Sequence, residues 1–184
     1  MDNGESSYRR FLDGDDKGFV EIVRDYKDGL ILYLNSFVRN ISVAEELAED
    51  VFVKLGIKKP RFSGSSSFRT WLYAVGRNTA IDYIRKQAKH SELPIDECTF
   101  LADESSVEGS YLLDERKLTV HRAMKKLKSE YRQILWLIYF EGFSCKEAAR
   151  IMKKSVHSTE TLTYRARQSL RTELIREGFD YEDI

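Results

Sequence analysis

From residue 19 onward, apolar side chains recur at three- and four-residue steps rather than at alternate positions. Phe19, Ile22, Val23, Tyr26, Leu30, Tyr33 and Phe37 trace one stripe along a long helix. Gly29 is its weak point, since glycine forfeits backbone entropy in a helix. Ala44, Leu47, Ala48, Val51, Phe52 and Leu55 form a second stripe. Ser42 with Glu45 predicts its start by a capping box, and Gly56 its end. Residues 60–67 are a loop of small residues around Gly64. The pattern then predicts a helix over 68–89 that buries Phe68, Trp71, Leu72, Val75, Thr79 and Tyr83. No alternation of useful length argues for strands, so the fold class is all-α.

The pattern breaks over residues 90–113, which hold Pro94, Gly109, several serines and many acids, and read as a linker. Helical spacing resumes near Leu113, with Leu118, Met124 and Leu127. Apolar residues cover most of the circumference of 130–140, which predicts a buried helix. Residues 141–143 read as a turn. Ser144 with Glu147 predicts a capped short helix carrying Ala148, Ala149, Ile151 and Met152. A turn at 153–155 leads to a last helix over 157–176, whose inner stripe is Leu162, Ala166, Leu170 and Leu174.

Charge changes this picture more than bulk composition does. The 184 residues hold 30 basic and 30 acidic side chains, so the net charge is zero. The zero conceals blocks. Residues 61–90 carry 6 basic and 1 acidic residue, net +5, and residues 121–176 carry 13 and 5, net +8. Between them, residues 91–120 carry 2 and 8, net −6. The first 60 residues are net −3 and the last eight net −4. Basic blocks attract phosphate backbones, although solvated helix faces produce the same pattern. Two cysteines 47 positions apart, with no Cys/His pair at ligand spacing, give no basis for a zinc site or a disulfide framework. The longest apolar run, 134–140, is seven residues, far short of a membrane span. With no apolar leader at the N-terminus, the reading is a soluble, cytoplasmic protein without membrane insertion. No Gly-rich phosphate loop stands out, and His90, His121 and His157 are scattered. No enzyme, metal, cofactor or small-molecule substrate is expected.

Three constellations carry candidate chemistry. A short capped helix, a tight turn and a longer basic helix describe a helix-turn-helix over 143–174. Tyr164, Arg165, Arg167 and Arg171 lie on its second helix, where arginines can pair phosphates. Asn78, Asp82, Arg85 and Lys89 share one face of the helix after the serine loop, with Arg77 and Lys86 beside them. Asparagine can read a base edge, and Phe62 and Trp71 could stack on an unpaired base. Glu45, Glu46, Glu49 and Asp50 make an acidic face suited to a protein partner. These features alone leave two alternatives open: a stand-alone helix-turn-helix regulator binding duplex DNA, and a helical interaction protein.

The segments 44–52 (AEELAEDVF) and 68–86 (FRTWLYAVGRNTAIDYIRK) resemble region 2 of the sigma-70 family. The segments 143–152 (FSCKEAARIM) and 164–167 (YRAR) resemble its region 4. Their order, with only a short linker between, resembles the extracytoplasmic-function group of alternative sigma factors. The resemblance implies a region 2 bundle over 8–90, a flexible acidic linker over 91–112 and a region 4 helix-turn-helix over 113–176. It implies a non-catalytic subunit that directs core RNA polymerase to promoters, contacting the β′ clamp helices and the β flap, with an anti-sigma factor as a further partner. By position, Leu47, Asp50, Val51 and Phe52 would face the polymerase. Arg61, Phe62, Ser63, Trp71, Arg77, Asn78, Asp82 and Arg85 would read and melt the −10 element. Ser158, Thr159, Glu160, Thr161, Tyr164, Arg165, Arg167 and Arg171 would read the −35 element. Departures from the family pattern are Glu160 where a basic residue is common, Thr159 and Thr163 where apolar residues are common, Lys128 in place of a proline, and Ser63 and Ala74 where basic residues are frequent. The two threonines predict looser packing of the last helix.

Overall fold

The structure, a computed structural model, describes residues 3–90 and 115–179. The expected linker over 91–112 and the last five residues lie outside the described residues. Among the described residues there are eight α-helices, one π-helical turn and no strand. They are α1 (Asn3–Leu12), α2 (Asp16–Val38), α3 (Ile41–Lys58), α4 (Phe68–His90), α5 (Glu115–Lys126), α6 (Ser129–Leu135), the π turn (Trp136–Phe140), α7 (Cys145–Met152) and α8 (Val156–Arg176).

The central element of the first half is α2, against which α1, α3 and α4 pack. Asp15 caps it by accepting from Lys17 N. Gly18 permits the close approach of α1. A Cβ there would stand 2.2 Å from the Ser7 carbonyl oxygen, a backbone atom that cannot swing aside. Ile22, Leu30, Leu34, Val51, Leu55 and Leu72 are buried between these helices.

Three boundaries depart from the sequence reading. The cap of α3 is Asn40, whose Oδ1 accepts from Val43 N, so Ser42 lies inside the helix. Nor does α3 end at Gly56. That glycine sits against Phe19, and the helix runs on to Lys58 before Lys59 turns left-handed. In 130–140 the helix changes gauge at Trp136, where Glu141 N bonds the Trp136 carbonyl five residues back. A π turn advances the side-chain register. Ile134, Leu135 and Leu137 are buried as expected, but Tyr139 and Phe140 are exposed.

Beyond the π turn, α7 and the inner stripe of α8 fold as the spacing predicts. Ser144 and Glu147 bond reciprocally in a capping box at the start of α7. Gly142, at φ +66°, makes the preceding turn. Ala148, Ala149 and Ile151 of α7 and Leu162, Ala166 and Leu174 of α8 are buried. Thr159 is fully buried too, contrary to looser packing at that position. Its hydroxyl donates to the Ser155 carbonyl at 2.9 Å, which satisfies the polar atom inside the core.

The two halves also pack on each other, α7 against α4 and α6 against α2. Arg132 of α6 is 8% exposed and donates from Nε to the Ser36 carbonyl at 3.0 Å. Glu141 reaches Arg69 Nη2 and Tyr73 Oη, each at 2.6 Å.

Candidate nucleic-acid interface

The acidic face expected on α3 is present. Glu45, Glu46, Glu49 and Asp50 are all exposed. Of the four residues assigned there to a partner, only Asp50 reaches the surface. Leu47, Val51 and Phe52 lie in the core, because their helical spacing places them toward α2 and α4. The apolar side chains that α3 does present are Val53 and Ile57, which is 78% exposed. Their spacing of four marks a second, minor stripe beside the acids.

The loop over 60–67 is tied down at both ends. Tyr8 Oη donates to the Pro60 carbonyl at 2.6 Å, and Ser67 Oγ accepts from Thr70 N at the start of α4. Between them, Gly64 turns with φ +71°. Arg61 and Ser63 are exposed. Phe62 is half-buried, edge-on to Phe68 with ring centroids 5.7 Å apart and 5.5 Å from the Trp71 centroid. Trp71 also packs on Tyr8 and Phe68. Phe62 and Trp71 therefore form a half-exposed aromatic shelf over a fully buried Phe68. Further along α4, Asn78 is half-buried, while Asp82 and Arg85 are exposed, 3.9 Å apart. Arg77 lies partly inward, near enough to Tyr33 to favour its phenolate, although burial dominates and raises that phenol's pKa.

On α8 the outer face is open. Ser158, Glu160, Tyr164, Arg165, Arg167 and Arg171 are exposed and Thr161 is half-exposed. Thr159 is the exception, because its buried hydroxyl is committed to Ser155 and presents nothing to a groove. Glu147, which caps the preceding helix, has its carboxyl below the usual range because Ser144 donates to it. Left-handed Lys153 makes the turn before α8, and Ser155 caps the helix, its Oγ accepting from Ser158 N. This is a helix-turn-helix with a clean outer face.

Comparison with known proteins identifies two regions of the chain. The model of sigma-70 region 2 matches residues 22–90, and that of sigma-70 region 4 matches residues 117–170. The extracytoplasmic-function sigma factor SigM of Bacillus subtilis is 30% identical over 151 residues, covering 82% of this chain and 91% of that protein. The chain belongs to the sigma-70 family, in its extracytoplasmic-function group. The RNA polymerase sigma-H factor of Pseudomonas aeruginosa is 29% identical over 85% of this chain and 86% of its own length. Among solved structures, the sigma factor RpoE of Bartonella quintana, crystallised with the anti-sigma factor NepR, superposes with a TM-score of 0.72 at 22% identity, over 86% of this chain and 97% of that one. CnrH, in complex with the cytosolic domain of CnrY, gives 0.69 at 21% identity, over 95% and 99%. At such identity these likenesses speak for the fold.

Two features of this sigma factor were not legible in the sequence. One is Glu141, whose side chain is only 11% exposed and which accepts from Arg69, Tyr73 and Trp136. Glu-Gly announced a turn and nothing about a partner 72 residues away. The other is Arg150, which donates to the Ser65 carbonyl at 2.8 Å and so holds the region 2 loop against α7 of region 4. Among the described residues, no group of three or more His, Cys, Asp or Glu side chains could hold a metal ion, and no helix is long and apolar enough to cross a membrane.

Proposed function

We propose that this sigma factor binds core RNA polymerase through the exposed edge of α3, and reads promoter DNA with two separate surfaces. The observation that carries the proposal is the outer face of α8, where Arg165, Arg167 and Arg171 stand in solvent behind a capped turn while Thr159, Leu162 and Ala166 hold the inner face in the core. A helix so mounted can enter the major groove of a −35 element, with the arginines pairing phosphates and Ser158, Glu160 and Thr161 nearest the bases. Glu160 accepts from cytosine N4 in this arrangement. The half-exposed Phe62 and Trp71, with Arg61 and Ser63 at the loop surface, take an unstacked base of the −10 element. Arg77, Asn78, Asp82 and Arg85 face the strand beyond it. Strand separation then draws on binding energy, since unstacking costs only a few kcal/mol per step. The protein acts by binding, in the cytoplasm, without a reaction of its own.

For the polymerase, the surface is Asp50 with Glu46 and Glu49, and Val53 and Ile57 as apolar anchors. Leu47, Val51 and Phe52 act behind them by fixing the helix. The solved complex of RpoE with the anti-sigma factor NepR supports an anti-sigma partner. The test is co-elution of the purified protein with bacterial core polymerase. Wild type should co-elute, and Asp50→Ala combined with Val53→Ala, both exposed, should abolish it without loss of helicity. Failure of the folded wild type to bind would favour a stand-alone regulator.

A further inference from the structure

A cleft of about 1,040 Å3 opens between the two halves, where the end of α2 meets α6 and the start of α8. Its apolar lining includes Val38, Ile84, Leu127 and Leu162. Its rim is strongly basic: Arg39, Lys128, Arg132, Lys154 and Arg165 line it. Among the described residues, Glu130 is the one acid that lines it, and it is paired with Lys154 at 3.2 Å. Among the described residues, no carboxylate lies within ion-pair distance of Arg39, Lys128 or Arg165. Arg39 Nε is buried and has no hydrogen-bond partner among the described residues. The Arg132 guanidinium feels the like charge of Arg39, and burial together with that neighbour pushes its pKa down to about 10. Arg132 itself is held by the Ser36 and Leu127 carbonyls, so the like charge of Arg39 beside it is left for an acidic ligand at the cleft to offset.

One segment of the chain has the complementary chemistry. Residues 91–114 contain seven acids (Glu92, Asp96, Glu97, Asp103, Glu104, Glu108 and Asp114) and no Lys or Arg. Apolar residues are interspersed with them, among them Ile95, Phe100, Leu101 and Val107. The segment leaves α4 near the cleft and returns into α5, whose far end lines it. Ile84, in its wall, lies six residues before the end of α4, about 9 Å along the axis. Lys126, also in its wall, ends α5, the helix that follows the segment. Twenty-four residues can span up to about 80 Å, so reach does not limit the match. We propose that this cleft is the docking site of the chain's own acidic segment, residues 91–114, and that its occupation competes with duplex DNA for α8. Competition follows because Ser158, Thr161 and Arg165 line the cleft and also lie on the face assigned to the −35 element. That second half rests on the proposed function, whereas docking itself does not.

The experiment uses the full chain with Asp96→Asn, Glu97→Gln, Asp103→Asn, Glu104→Gln and Glu108→Gln, which keeps length and shape while removing five charges. Amide hydrogen exchange should quicken in the first turns of α6 and α8. A synthetic peptide of residues 91–114, added in trans, should restore protection and bind the neutralised chain. It should bind at least tenfold more weakly once Arg39→Gln and Lys128→Gln are added. Affinity for a −35 duplex should rise about tenfold on neutralisation, as expected for the loss of two or three exposed ion pairs. Unchanged exchange together with no peptide binding overturns the proposal, even if some other acidic peptide or DNA fills the cleft. Altered exchange with unchanged duplex affinity keeps the docking and overturns the competition. Exchange and peptide binding require neither polymerase nor promoter, so failure of the sigma reading would show separately, in co-elution.

Discussion

The two DNA-facing halves differ in how far the candidate site is separate from the core. In region 2 the aromatic shelf of Phe62 and Trp71 is the outer layer of a packed aromatic group that continues through Phe68 to Tyr8 and Tyr26. In region 4 the division is clean. Thr159, Leu162 and Ala166 are buried, while Arg165, Arg167 and Arg171, on the same helix, are exposed. The chemistry of the two targets accounts for the difference. Stacking an unpaired base needs a rigid aromatic surface, which is most readily held as the edge of a core. Entering a groove needs only a helix whose outer side is polar.

The sharpest test of that contrast is Phe68→Ala. Phe68 is fully buried beneath the shelf, so its loss should cost about 3–5 kcal/mol by denaturant titration. It should also loosen Trp71, seen as altered indole fluorescence in a Trp136→Phe background. A drop in stability with no change at Trp71 would break the claim that site and core are one in region 2. Leu162→Ala should likewise destabilise region 4 in the same titration, while Arg165, Arg167 and Arg171 stay on the exposed side of α8.

The second test asks whether the halves are independent at all. Glu141, on the turn before α7, accepts from Arg69 and Tyr73 of α4 and from Trp136. Hydrogen bonds to a charged group contribute about 1.5–3 kcal/mol net, so Glu141→Gln should lower stability by roughly 2 kcal/mol. The Tyr73 phenol is pushed up first by burial and then by Glu141, so the same substitution should lower its pKa in an ultraviolet titration. If Tyr73 titrates unchanged, the two halves are not joined through this carboxylate in solution.

These contacts also show where the sequence stops being informative. Local rules carried the second half well. The Ser144–Glu147 box, the turn at Gly142 and the α8 stripe each depend on residues three or four apart. They failed at Asn40, where a better capping residue stood two positions earlier than the serine, and at Trp136, where a π turn carries no compositional mark. The assignment of Leu47, Val51 and Phe52 to a partner surface followed family position, although the apolar stripe that contains them points inward. The stripe itself held that information. The Glu141–Arg69 and Arg150–Ser65 contacts join residues 72 and 85 positions apart, and no pattern in a single sequence encodes such pairs.

A smaller effect is expected at the cap of α7. Ser144 Oγ accepts from Glu147 N, and the Ser144 hydroxyl and backbone N–H both donate to the Glu147 carboxylate. Ser144→Ala should cost about 1 kcal/mol. The pH dependence has a definite sign. Glu147 titrates below its usual value when folded, chiefly through the Ser144 hydrogen bond, so its stabilisation is present above the unfolded pKa, near 4.5, and is lost as pH falls through the lower folded value. Wild type should therefore lose stability faster than Glu147→Gln on acidification below pH about 4.5, and parallel acid limbs would remove the capping box from the account.

The smallest change in stability should come with a large change in binding. Arg165 and Arg167 are exposed on α8, so Arg165→Ala and Arg167→Ala should each alter stability by no more than about 0.5 kcal/mol. If each side chain neutralises one phosphate, its removal should reduce the slope of log affinity against log salt by about 0.9. The matching substitution in region 2, Trp71→Ala, should behave in the opposite way. It should lower stability, because Trp71 packs on Tyr8, Phe62 and Phe68, and it should leave the salt slope nearly intact, because stacking releases no counterions. Measured side by side with a duplex −35 probe and a single-stranded −10 probe, the two substitutions separate a site mounted on the fold from a site that is part of it. A salt slope that fell equally for both would mean that region 2 also holds its strand mainly by phosphate pairing, with Arg61 and Arg85 carrying what the aromatic shelf is assigned here.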